Sequence, residues 1–163
     1  MPHAGPVTTW RIVAALAAVA LVVVYAVGSG VWVSTNPGWY AGLARPSWQP
    51  PDAVFGLIWP YNFIALAVVG VIVAQRGSPG QVGAWLGVAV ASVVCALSWA
   101  YLFYVPHPLT ASAVALAGAA ALTAVLVVVT WEVTRGGAVA LVPYVIWVGL
   151  ATSLAFGYAR LNS

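Results

Sequence analysis

The chain reads as an all-α integral membrane protein, a bundle of five spanning helices, and three observations predict this. Charged residues make up only 4% of the 163 residues and hydrophobic residues 64%, whereas soluble domains carry about 25% charged residues. Mean hydropathy is +1.04, so the bilayer is the solvent. Five uncharged apolar runs, at about 12–33, 54–74, 82–105, 109–131 and 138–159, are each long enough at ~1.5 Å per residue to cross a hydrocarbon core of roughly 30 Å. They make one domain over residues 1–163.

The first run follows Arg11 and is too long for a signal-peptide core of ~7–15 residues. No small-x-small cleavage site lies just beyond Val33, so the run is expected to remain as a span. The connection 34–53 is the only long one, and long connections in compact domains tend to be lids or binding loops. Within it stands Trp39-Tyr40-Ala41-Gly42-Leu43-Ala44-Arg45-Pro46-Ser47-Trp48-Gln49-Pro50-Pro51. Three prolines there fix φ and push the residue before each towards extended geometry, so the aromatic rings are held and do not sweep freely. The later runs are joined at 75–80, 106–108 and 132–137 by short stretches of turn formers that hold much of the remaining charge, as helical hairpins require.

Charge excludes several functions. The net +3 arises from five arginines against Asp52 and Glu132, with no lysine, which is no nucleic-acid patch. Arg11, Arg76 and Arg135 fall on the amino-terminal side and Arg45 and Arg160 on the other, an excess that predicts a cytoplasmic amino terminus. No run carries Asp, Glu, Lys or Arg in its interior, which disfavours ion-coupled transport. Asp52 and Glu132 lie in different connections and form no acid–base pair, and His3 and His107 lack the i, i+4 spacing of helical metal ligands. No catalytic set and no metal site can be named. His107, between two prolines, reads as a solvated turn residue, with haem ligation as the sharper alternative. The lone Cys95 allows no intrachain disulfide.

Aromatic spacing points to binding instead. Phe55, Trp59 and Asn62 recur at i, i+4 and i+7 below the Pro50-Pro51 pair, hence on one helix face. Trp147, Ala151, Leu154 and Tyr158 do the same in the last run, with a small residue opening space beside a large one. Trp10, Trp32 and Trp131, at run ends, read as interfacial belt residues. A belt role competes with the pocket role for Trp59 and Trp147, which follow prolines closely. Gly83, Gly87, Ala91 and Cys95 recur every four residues and form a small-residue stripe, suited either to a homodimer seam or to packing inside one bundle.

Three of these stretches together resemble the TspO/MBR family. The loop is similar to the family's W-Y-x-x-L-x-K/R-P-x-W-x-P-P signature. Phe55-Gly56-Leu57-Ile58-Trp59 is similar to its second-helix F/L-x-x-V-W pattern, and Pro143-Tyr144 through Thr152-Ser153-Leu154 to P-Y-x-x-W-x-x-x-A-T-x-L. The resemblance implies a five-helix bundle that binds porphyrins, and in some members sterols, beneath the first loop, and that often dimerises. It departs in the third run, where Ala96-Leu97-Ser98-Trp99-Ala100-Tyr101 stands for A-L-N-W-x-W, and in the last, where Ala155 replaces an asparagine. Each change removes an amide or an indole, which predicts a greasier ligand or looser selection. Leu154, Tyr158 and Arg160 also satisfy the weak L/V-x-Y-x-K/R pattern proposed for cholesterol contact, although plain interfacial anchoring explains a Tyr and an Arg at a helix end equally well.

The resulting expectation is a multi-pass protein of a bacterial cell membrane that binds a tetrapyrrole such as protoporphyrin IX or haem, with no obligatory cofactor. Its output would be sensory, scavenging or transport-related. Trp39, Tyr40, Trp48, Phe55, Trp59, Trp99, Tyr101 and Trp147 would offer ring faces, and Pro50, Pro51, Asn62, Ser98, Ala151 and Leu154 would shape the site. Arg45 would pair with a propionate. Two alternatives are light- or oxygen-dependent porphyrin breakdown with Trp59 and Trp147 as electron donors, and a structural subunit of a larger membrane complex.

Overall fold

The computed structural model describes residues 9–162; His3 lies outside them. The elements are α1 (Thr9–Val33), α2 (Pro37–Ala41), α3 (Asp52–Arg76), α4 (Pro79–Tyr104), α5 (Leu109–Trp131) and α6 (Arg135–Leu161). All but α2 are long and apolar enough to cross a membrane. The five spans therefore match the five apolar runs, each extended by a few residues wherever a cap recruits the flanking turn. Ser78 and Gln81 form a reciprocal capping box that starts α4 three residues before its apolar run, with Pro79 in the first turn; this satisfies two otherwise orphaned donors. Thr134 caps α6 singly, its hydroxyl accepting from the Gly137 amide. Asp52 and Arg76 stand at the two ends of α3 with the signs that its macrodipole favours.

The loop holds one element that the prolines did not announce. Pro37, with its preset φ, opens the short helix α2, and the amide of Gly42 closes it on the carbonyls of Gly38 and Trp39.

The spans close into a ring in the order α1, α3, α6, α5, α4, each packed on the next, and α4 returns to α1. Arg11 donates to the Ala74 carbonyl at 3.2 Å and also to that of Gln75. Asn162 pairs with Ala44 at the other end, so the two ends of the described chain lie on opposite faces of the bundle, as an odd number of spans requires. The half nearer Arg11 is solidly packed. Gly70 lets α1 and α4 approach α3, since a Cβ there would stand 2.8 Å from both Ala18 Cβ and the Trp85 ring. Trp85 is fully buried and donates its indole N–H to Thr130 at 3.0 Å, which removes the penalty of burying that donor. In lipid, such close approach and internal pairing take the place of a hydrophobic drive. The other half of the ring is not filled.

Candidate functional site

A cavity of about 410 Å³ opens in the loop-side half of the bundle. Small residues on two helices leave the space: Ala26, Ser29 and Gly30 on α1, and Ala151 and Ala155 on α6. Aromatic residues surround it. Tyr25, Trp59 and Phe63 form the floor, with Trp59 and Phe63 stacked at 5.5 Å and Tyr25 edge-on to Phe63 at 5.2 Å. Trp99, Phe103 and Tyr104 of α4 line the far side with Leu154 of α6. Phe63 continues the Phe55–Trp59 stripe by one more turn, and Phe103 continues Trp99, so both were within reach of the spacing argument that found their neighbours.

The roof is polar and internally satisfied. The Tyr158 hydroxyl donates to Gln49 Oε1, Gln49 Nε2 donates to the Tyr40 hydroxyl at 3.3 Å, and the two phenols stand 3.1 Å apart. Beside this triad the loop is docked on α6. The Asn162 amide pairs with both backbone groups of Ala44, at 2.8 and 3.0 Å, as a neighbouring strand would. Trp48 donates to Ser153 at 3.2 Å. Gly157 makes the approach possible, because a Cβ there would lie 2.8 Å from Pro46 and 2.9 Å from Trp48. On the α4–α5 side, His107 adopts a left-handed φ of 67°. Its Nδ1 pairs with the Phe103 carbonyl at 2.9 Å, and its ring stacks on Trp39 at 3.7 Å. The histidine read as a solvated turn residue is thus a brace for the loop, and it lies outside the cavity.

The sequence-derived residues divide accordingly. Tyr40, Phe55, Trp59, Trp99, Ala151, Leu154 and Tyr158 line the cavity. Trp39, Trp48, Pro50 and Pro51 build the loop without lining the space, and Arg45, also absent from the lining, holds its guanidinium 5.8 Å from the Tyr40 ring. Trp147 is buried behind the lining, edge-on to Phe55 at 4.9 Å and to Trp59 at 6.3 Å, so it supports the site and is no belt residue. Asn62 is buried beneath the lining with neither amide atom paired. The helical register turns Ser98 and Tyr101 outwards: they face a shallow groove with Trp32, Val94 and Leu97 between α1 and α4.

Tyr158 and Leu154 point inwards and Arg160 outwards, so the cholesterol-like pattern does not form one lipid-facing patch, and Tyr158 is no interfacial anchor. The small-residue stripe splits as well. Gly83 and Gly87 are exposed, and a Cβ at either would meet none of the described residues within 4 Å, whereas Cys95 packs towards Gly118 of α5 in its own bundle. Cys95 therefore does not continue an outer seam.

Sequence reasoning missed the α1 contribution of Tyr25, Ala26, Ser29, Gly30 and Val33, and also Gln49, Asp52, Tyr104 and Ala155. Tyr25 and Ser29 were a usable signal, being the polar side chains in the middle of an otherwise aliphatic run. Small residues carry no such mark, since an alanine facing a cavity and an alanine packed on a helix look alike in hydropathy.

A five-span membrane bundle with an aromatic-lined cavity under a docked loop defines a small multi-pass membrane protein. The TspO/MBR family model matches residues 10–161, and the chain belongs to that family. It is 33% identical over 129 residues to a tryptophan-rich sensory protein of Cereibacter sphaeroides, covering 76% of this chain and 77% of that one. It is 32% identical over 130 residues to protein CrtK of Rhodobacter capsulatus, covering 78% and 81%. The human translocator protein is 27% identical over 126 residues, covering 76% and 75%.

Proposed function

We propose that this protein binds a flat, membrane-soluble tetrapyrrole in the cavity under the loop, in a sensory, scavenging or transport-related role. The observation that carries this reading is the aromatic enclosure: nine of the cavity's lining residues are Tyr, Trp or Phe, whose faces and edges suit a planar π-system. The volume falls within the range of ligand pockets, about 300–1,000 Å³. Among the described residues no histidine, cysteine or methionine lines the space, so a haem iron would find there only phenols, one aliphatic hydroxyl, one amide and one carboxylate. Metal-free protoporphyrin fits the lining better than haem. A stabilising outward pairing of Gly83 and Gly87 with a second copy is part of the same proposal, as is a cytoplasmic amino terminus.

Porphyrin titration followed by Trp fluorescence tests the reading. Trp59→Ala removes a lining ring worth ~0.5–1.5 kcal/mol beyond its area, so affinity should fall several-fold or more. Trp131, exposed at the opposite end, should be replaceable by alanine without effect. Equal losses at both positions would mean general destabilisation and would end the pocket argument.

A further inference from the structure

Among the described residues Asp52 is the one carboxylate side chain that lines the cavity, and no arginine joins it there. It stands at the start of α3, next to the loop, across the cavity from the closed α4–α6 side. The lining residues Gly30, Val33 and Asp52 are exposed to the outside, whereas Phe103, Tyr104, Leu154, Ala155 and Tyr158 are buried. The exposed lining residues thus belong to α1 and the start of α3, and Asp52 is one of them. Arg45, the nearest basic residue along the chain, is not among the lining residues and holds its guanidinium 5.8 Å from the Tyr40 ring, on the loop side of the cavity.

We propose that Asp52 is a specificity-determining residue that makes this cavity select ligands whose edge at the α1–α3 rim is uncharged or cationic, and reject those that place a carboxylate there. The inference rests on the cavity being a binding site, and deepens that reading by stating the charge class of its ligand. The physical basis is simple. Asp52 is exposed beside a lining that is otherwise largely aromatic and aliphatic, so a ligand carboxylate placed there would meet a like charge with less water to screen it than in bulk. A tetrapyrrole meeting this rim would do so with its propionates neutralised by esterification or turned away. Asp52 also favours the α3 dipole, so a purely structural role is the competing explanation.

A matched trio of tricyclic probes separates the two: anthracene carrying a carboxylate, a carboxamide or a trimethylammonium group, each followed by Trp quenching with the full chain in neutral phosphatidylcholine nanodiscs. The wild type should bind the carboxylate most weakly. Asp52→Asn should raise its affinity on the order of tenfold, about 1.4 kcal/mol, lower that of the ammonium probe, and leave the amide within about twofold. Asp52→Glu should keep the wild-type order. Added salt should strengthen carboxylate binding to the wild type and not the amide's, a measurement that needs no variant. An unchanged carboxylate-to-amide ratio in Asp52→Asn, or salt-independent ratios in the wild type, would overturn the proposal. Protoporphyrin and its dimethyl ester run alongside: failure of both to bind while the trio still ranks by charge would defeat the tetrapyrrole reading and leave the role of Asp52 standing.

Discussion

Gly157→Ala tests whether the loop is held on the bundle as a fitted lid. The added methyl would meet Pro46 at 2.8 Å and Trp48 at 2.9 Å, well inside ordinary carbon–carbon contact of ~3.5–4.0 Å. Neither ring can swing aside cheaply: Pro46 is a buried proline and Trp48 is tied to Ser153. The loop must lift by over half an ångström, and overpacking of this kind costs about 1–3 kcal/mol. That is comparable with the net worth of the contacts docking the loop, since each hydrogen bond of the Asn162–Ala44 pair and the Trp48–Ser153 contact contributes ~0.5–1.5 kcal/mol. The substitution should therefore free the loop while α3–α6 stay folded. Hydrogen exchange should speed up at residues 39–49 by about 5- to 150-fold for that energy range, and a bound porphyrin should dissociate faster. Gly149→Ala, on the same helix with nothing within 4 Å of its Cβ, is the control and should change neither. Wild-type loop protection and dissociation in Gly157→Ala would show that the loop is not docked through this contact.

Three further outcomes are expected. Asn62→Leu replaces a buried amide with no partner by an apolar group of similar size, so thermal stability should hold or rise; a loss of several kcal/mol would mean that a buried water pairs the amide. Gly87→Leu should convert a dimer to a monomer in detergent without loss of helicity, and mild oxidant should not cross-link copies through Cys95, which packs towards Gly118. A dimer unaffected by Gly87→Leu would place the interface elsewhere. Any consumption of bound porphyrin should require light or oxidant, and loss in darkness without oxygen at a rate set by protein concentration would refute the reading of the site as a binding cavity without catalytic groups.

The sequence by itself determined the solvent, the number of spans and the position of the lid, because each depends on local quantities: run length, charge content and proline placement. It also located part of the site, since Phe55, Trp59, Ala151, Leu154 and Tyr158 share helix faces that follow from the 3.6-residue repeat. Which faces meet is not local. Ser98 and Tyr101 adjoin Trp99 in the chain, yet α4 packs on α1 and α5 so that Trp99 points into the cavity and they point out of it. Only the ring order of the helices decided that α1 would supply the open side with small residues, that Trp147 would stand behind Trp59, and that Asp52 would reach the rim. Hydropathy cannot encode these choices in a bilayer, where lipid-facing and core-facing surfaces are equally apolar, and helix position is settled by the close packing of small residues such as Gly70 against α1 and α4.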